Sequence, residues 1–150
     1  MELFEATPFD ITELSGIFDD YRCFYKQPSN IDACRQFISE RIQNKDSVIF
    51  IVKNENEIVG FTQLYPLFSS VQLKKLWMLN DLFVIKSARR KGVAGMLIAQ
   101  CRKLACDTNA AGLLLETGKD NTEGNKLYPT KDFQLIDSSN FYFWKTVIAG

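Results

Sequence analysis

Apolar positions along the chain fall into helical and extended spacings in turn. Ile11, Leu14, Ile17, Phe18 and Tyr21 recur at the three- and four-residue intervals of one helical face. Asp10, with Glu13 three residues on, reads as a capping box at its start. A second stripe, Ile31, Cys34, Phe37, Ile38 and Ile42 with the stem of Arg41, follows a cap at Ser29 or Asn30. Residues 3–6 predict a short strand, and the β-branched run 47–53 a buried one. Residues 54–57 predict a hairpin turn and residues 58–65 its return strand. Residues 71–85 run extended and end in the apolar sequence LNDLFVI. After a basic break the helical spacing returns at Val93, Met96, Leu97, Cys101, Leu104 and Ala105.

Gly112 closes that helix, and residues 113–117 predict a short buried strand. Strand, helix and strand in this order make a parallel crossover. Asp120 or Asn121 caps a short helix through Tyr128, and residues 133–136 and 141–147 predict a closing hairpin. The expected fold is α/β, a mixed and mostly antiparallel sheet flanked by helices, in a single domain over residues 1–150.

Composition removes several classes of function. The 150 residues suffice for one core, and Lys+Arg balance Asp+Glu at 18 each, so global charge draws the chain neither to nucleic acid nor to an acidic membrane. No apolar run approaches the ~20 residues of a membrane span. The start, MELFEATPFD, is acidic and lacks the layout of a signal peptide. Four cysteines without a C-x-x-C pair read as free thiols, and a cytoplasmic setting is expected. The chain has no histidine, which excludes a Ser-His-Asp triad, a Cys-His dyad and most catalytic zinc sites. Acid–base chemistry is left to Tyr, Cys, Lys, carboxylates or water, and no metal is expected.

Candidate chemistry centres on residues 79–105, where an apolar strand breaks into SARRKGVAG and then into a helix. A helix N-terminus offers free N–H groups and partial positive charge, small residues let an anion approach, and the arginines add charge. The physical reading is a phosphate-binding turn; the plain alternative is a surface loop with solvated charges. Neither the Walker pattern nor G-x-G-x-x-G is present.

Arg89-x-x-Gly92-x-Ala94 resembles the Arg/Gln-x-x-Gly-x-Gly/Ala signature of the GNAT superfamily of N-acetyltransferases. Asn121-x-x-Gly124-x-x-x-Tyr128-x-x-x-Asp132-Phe133, beginning 29 residues after Gly92, is similar to the family's Asn-x-x-Ala-x-x-x-Tyr-x-x-x-Gly-Phe. The sequence before the turn is most similar to the branch acting on histone tails and polyamines. The resemblance implies a splay between the two central strands and acetyl-coenzyme A as co-substrate. It implies pyrophosphate held around Arg89, Arg90, Lys91, Gly92, Val93, Ala94 and Gly95. It sets the pantetheine arm along Leu82, Phe83 and Val84 with a contact from Asn121, and makes Tyr128 the acid for the departing thiolate. Arg90, Gly124 and Asp132 depart from the pattern, and Pro129 biases Tyr128 away from helical geometry.

The expected acceptor is a primary amine, of a small molecule or a lysine side chain, attacking directly. Tyr25, Asn80, Asp81 and Glu116 are the candidates for holding it, with Thr117 beside them. Tyr21, Phe24 and Tyr25 read equally as core or as a pocket wall. Strict alternation puts Met78, Asn80 and Leu82 on one face and Leu79, Asp81 and Phe83 on the other; the bulge usual in the family would reset this. Ordered water can remove the amine proton, so no side-chain base is required. Two other readings stay open: an acetyl-coenzyme A sensor without catalysis, and an interaction module on the same fold. The aromatic run FYFWKTV suggests a strand that extends a sheet across a homodimer, and core burial is its alternative.

Overall fold

The computed structural model describes residues 1–147. The chain divides into two compact units, Met1–Glu116 and Thr117–Gly150. The first contains β1 (Glu2–Glu5), a 3-10 turn, α1 (Ile11–Phe24), α2 (Ile31–Asn44), β2 (Val48–Asn54), β3 (Glu57–Ser69), β4 (Lys74–Val84), α3 (Val93–Asp107) and β5 (Leu113–Leu115). The sheet runs β1-β2-β3-β4-β5, antiparallel through β4, with β5 parallel to β4 as the crossover requires. The β2–β3 turn places Glu55 and Asn56 at φ 50 and 73, the two left-handed residues that match strand twist in a two-residue hairpin.

Helices α1 and α2 cover one face of this sheet, where Leu14, Phe18, Cys34 and Ile38 pack with Ile49, Ile51 and Phe61. Helix α3 covers the other: Cys101 Sγ lies 3.8 Å from Thr62 Oγ1, and Trp77 Nε1 donates to Thr108 Oγ1 at 2.9 Å. Among the described residues no helix is long and apolar enough to cross a membrane.

Register decides which β4 side chains face which helices. Leu64 pairs with Leu79 and Gln63 with Asp81, so Asn80 is an extra residue on β4, a β-bulge. Trp77 and Leu79 therefore face α3, whereas Asp81 shares the α1–α2 face with Gln63, and Phe83 shares it with Phe61. Alternation without a bulge puts Leu79 and Asp81 on one face, and that pattern stops at Asn80.

Three local expectations are corrected. Asp10 serves Thr7 rather than a box with Glu13: its Oδ2 accepts from Thr7 N at 2.8 Å and its Oδ1 meets Lys53 Nζ at 2.6 Å. Glu13 instead accepts from Ile58 N at 2.6 Å, because the neighbouring strand offers a free donor. Helix α3 ends at Asp107 with Asn109 as its left-handed residue (φ 51), while Gly112 belongs to the sheet, accepting from Trp77 N at 3.1 Å.

The second unit holds α4 (Thr122–Leu127) and a 3-10 turn, Tyr128–Lys131. The expected closing hairpin is absent: residues 133–136 and 141–147 form no strand. A two-stranded ribbon without a third strand or packed face is marginal, and Phe141, Tyr142, Phe143 and Trp144 are all exposed.

The α1–α2 connection is fixed by Asp19, which accepts from Ser29 Oγ at 2.6 Å and Asn30 N at 2.7 Å. Those bonds hold its carboxyl below the ordinary range. A depressed folded-state pKa contributes stability above the unfolded value, lost as pH falls through the folded one. Asp19→Ala is expected to lower Tm at pH 7, with the deficit shrinking as pH drops below about 4, read by calorimetry across pH.

Candidate active site

Strand β5 stops at Leu115, opposite Leu79, one residue before the bulge. From there to Val84 the outer edge of β4 has no strand beside it among the described residues. Ile85 N bonds Val59 O at 3.0 Å, so antiparallel alternation turns the backbone groups of Phe83 inward to β3 and those of Leu82 and Val84 outward. The open edge thus presents Leu82 and Val84; Phe83 contributes its ring to the α1–α2 face. Arg89 reaches back to this edge, with Nε donating to Val84 O at 3.0 Å and the guanidinium against the rings of Phe24 and Phe83 at 5.9 and 5.8 Å.

Beyond Arg89 the chain makes a tight turn into α3. Arg90 adopts φ 60 and Gly92 φ 84, two left-handed residues separated by Lys91. The first helical bond runs from Met96 N to Gly92 O, at 3.0 Å, so the N–H groups of Val93, Ala94 and Gly95 have no acceptor in the helix. A Cβ at Gly92 would meet nothing within 4 Å, so its backbone lies open to an approaching anion. Val93 is buried, and Gly60 makes room for it: a Cβ on Gly60 would lie 2.9 Å from Val93 Cγ1 and 3.0 Å from Phe83 O. Free N–H groups, partial positive charge and exposed Arg90 and Lys91 suit a phosphate group.

At the bulge Asp81 is 4% exposed. Its Oδ2 accepts from Gln63 Nε2 at 3.0 Å and its Oδ1 from Asn80 Nδ2 at 3.1 Å; its main-chain oxygen accepts from Thr62 Oγ1 at 2.8 Å. Gln63 Oε1 in turn accepts from Ser47 Oγ at 2.9 Å. Burial, and then the charge of Asp81, push the Tyr65 phenol up to about 12, so it stays protonated in the working range. Tyr25 joins an aromatic cluster with Tyr21 and Phe24, at 5.1 and 5.3 Å between centroids, and Tyr21 and Phe24 in turn meet Phe83. Its members are both core and wall: Tyr21 packs on Phe61, while Phe24 and Tyr25 are about half exposed. Glu116 follows β5 directly and is exposed.

In the second unit Asn121 caps α4, its Oδ1 accepting from Gly124 N at 3.2 Å and its Nδ2 donating to Thr117 Oγ1 at 2.9 Å. Pro129 ends α4 early, yet Tyr128 keeps helical angles (φ −61, ψ −41), because the chain continues as a 3-10 turn with the proline in its first positions. The expected bias away from the helical region is overridden. Asp132 takes φ 64, the left-handed geometry that explains glycine at the corresponding family position.

Sequence reasoning missed Ser47 and Gln63. The signal was Thr62-Gln63, two consecutive polar residues inside an otherwise apolar strand. Cys101 is no nucleophile: burial raises its thiol to about 11.

Comparison with known proteins gives the family and the fold. The profile of the Acetyltransferase (GNAT) family matches residues 14–133. An uncharacterized N-acetyltransferase of Bacillus subtilis (strain 168), YhfO, is 37% identical over 89% of this chain and 90% of its own length. A probable acetyltransferase of Haemophilus influenzae is 33% identical over 86% of this chain and 92% of its own. The crystal structure of a probable acetyltransferase superposes with a TM-score of 0.92 at 34% identity, covering 98% of this chain and 99% of that one.

Gly60→Ala tests the seat of α3. Overpacking against Val93 and the β4 backbone is expected to cost about 1–3 kcal/mol in denaturant unfolding. The same variant is expected to weaken binding of phosphate-bearing ligands at the turn, measured by titration calorimetry.

Proposed function

The chain belongs to the acetyltransferase (GNAT) family and is an acetyltransferase; we propose that it transfers acetyl from acetyl-coenzyme A to a primary amine, of a small molecule or a lysine side chain, by direct attack. The observation that carries this reading is the pairing of an open β4 edge at Leu82 and Val84 with an α3 turn whose N–H groups at Val93, Ala94 and Gly95 lack helical acceptors. The turn, with Arg90 and Lys91, binds the diphosphate. Leu82 and Val84 bond the amide-bearing arm as an added strand would. Bound there, the co-substrate supplies a thioester-activated acetyl group.

Asp81, with Asn80 beside it, receives the acceptor amine, and the half-exposed Phe24 and Tyr25 line its approach. Tyr128, by its place in the second motif, returns a proton to the departing thiolate. Four free cysteines support a reducing, cytoplasmic setting.

The active form is a homodimer in which a second copy covers the C-terminal segment. Phe141, Tyr142, Phe143 and Trp144 are 75–92% exposed. At ~150–250 Å² each they offer about the ~800 Å² per partner that a stable interface uses, more than monomers ordinarily leave bare.

A thiol-release assay across polyamines, amino acids, aminoglycosides and lysine peptides tests the transfer. Tyr128→Phe is expected to lower turnover roughly tenfold or more while keeping coenzyme A affinity; unchanged turnover removes the acid role. Gly92→Glu is expected to abolish coenzyme A binding with the fold intact, through a strained left-handed glutamate and charge repulsion. Light scattering on the full chain is expected to give a dimer that Trp144→Asp dissociates; a monomeric wild type at micromolar concentration would falsify the assembly.

A further inference from the structure

We propose that Gln63 is a positioning residue for acetyl transfer: held from behind by Ser47, its side-chain amide fixes the Asp81 carboxylate for the acceptor amine. This rests on the reading of Asp81 given above.

Gln63 is fully buried in a strand whose neighbours Phe61 and Leu64 are apolar. Burying an amide there costs free energy unless each group is bonded, and an apolar residue of the same shape serves packing as well. Its two ends are spent differently. Oε1 takes the Ser47 hydroxyl at 2.9 Å, which fixes the amide orientation, and Nε2 is thereby aimed at Asp81 Oδ2, 3.0 Å away. Thr62, the preceding residue, points to the opposite face and bonds the main-chain oxygen of Asp81 at 2.8 Å. One residue of β4 is therefore gripped by two consecutive residues of β3, its backbone from the α3 side and its carboxylate from the α1–α2 side.

Among the described residues the side-chain donors to that carboxylate are the neutral amides of Gln63 and Asn80. The charges that act on neighbouring Tyr65 are Asp81 itself, Arg41 on α2 and Asp46 after it, and Arg41 Nε pairs with Asp46 Oδ1 at 2.8 Å. Among the described residues no lysine or arginine forms an ion pair with Asp81. A buried carboxylate held by neutral donors and lacking a cation is costly to keep. An acceptor ammonium supplies the missing charge, at an angle that Gln63 sets.

The test compares Gln63→Met, Asp81→Asn and the double variant with wild type, using spermidine, a lysine peptide and kanamycin as acceptors. Gln63→Met is expected to raise the amine KM roughly tenfold or more, leave the acetyl-coenzyme A KM within about twofold, and keep Tm near wild type. The double variant is expected to be no worse than Asp81→Asn alone. A wild-type amine KM in Gln63→Met, beside an impaired Asp81→Asn, overturns the positioning role and leaves the transfer reading standing. A silent Asp81→Asn overturns the role of both residues. Absence of thiol release by wild type with all three amines overturns the transfer reading and this inference with it. Should Gln63→Met fail to fold, Ser47→Ala, which removes only the bond behind Gln63, decides: a raised amine KM supports the role and an unchanged one overturns it.

Discussion

A β-strand shows successive side chains to opposite faces, and β4 has to serve two faces with different needs. Trp77 and Leu79 belong to the layer beneath α3, and Asp81 and Phe83 to the layer beneath α1 and α2. All four have odd numbers, so no regular strand places them this way. The extra residue Asn80 supplies the odd step. Beside it the main-chain oxygen of Asp81 accepts from Thr62 Oγ1 at 2.8 Å. Because β5 ends opposite Leu79, pairing on the outer side of β4 stops where the bulge begins. One added residue thus re-aims a carboxylate, changes the packing face of an aromatic ring and ends next to an open backbone edge.

The turn after β4 depends on a second constraint. Two left-handed residues, Arg90 and Gly92, flank Lys91, and the geometry costs an arginine about 1–2 kcal/mol that glycine avoids. That strain persists because the start of α3 is held firmly: Val93 is buried in the space Gly60 leaves beside Phe83 and Val84. A glycine in β3, over thirty positions upstream, so determines where α3 begins. The free N–H groups point where they do because of strand packing rather than loop sequence.

These two constraints also explain what the sequence disclosed. The helices, the antiparallel meander, the crossover and the turn follow from periodicity and composition, which are local. The strand through Leu82 and Val84 and the turn from Arg90 to Gly95 were legible as local structure, from an apolar run that breaks into glycines and basic residues. The face of Asp81 was not, since it depends on whether one residue is paired or bulged, and Leu79-Asn80-Asp81 looks the same either way. Gln63 was hidden for a related reason: its partner lies 18 positions away and only register brings them together. Asp10 and Glu13 misled because each found a better partner, Thr7 with Lys53 and Ile58 N, on segments that folding brings near. The C-terminal aromatics read as a strand by composition, yet β propensity expresses itself only where a partner exists.

The open stretch of β4 is electrostatically two-ended. At one end stands Asp81, buried and bonded by neutral groups; at the other, past Val84, come Arg90, Lys91 and the N-terminus of α3. Three residue steps of strand separate Asp81 from Val84, about 10 Å at the usual rise. An anion at the turn and a cation at Asp81 are therefore each nearer to the opposite charge than to the like one. With no histidine in the chain, Cys101 held as a thiol and Tyr65 held as a phenol, this edge offers a fixed field rather than a relay of titrating groups. A donor bearing phosphates and an acceptor bearing an ammonium are the pair of ligands such a field sorts to opposite ends.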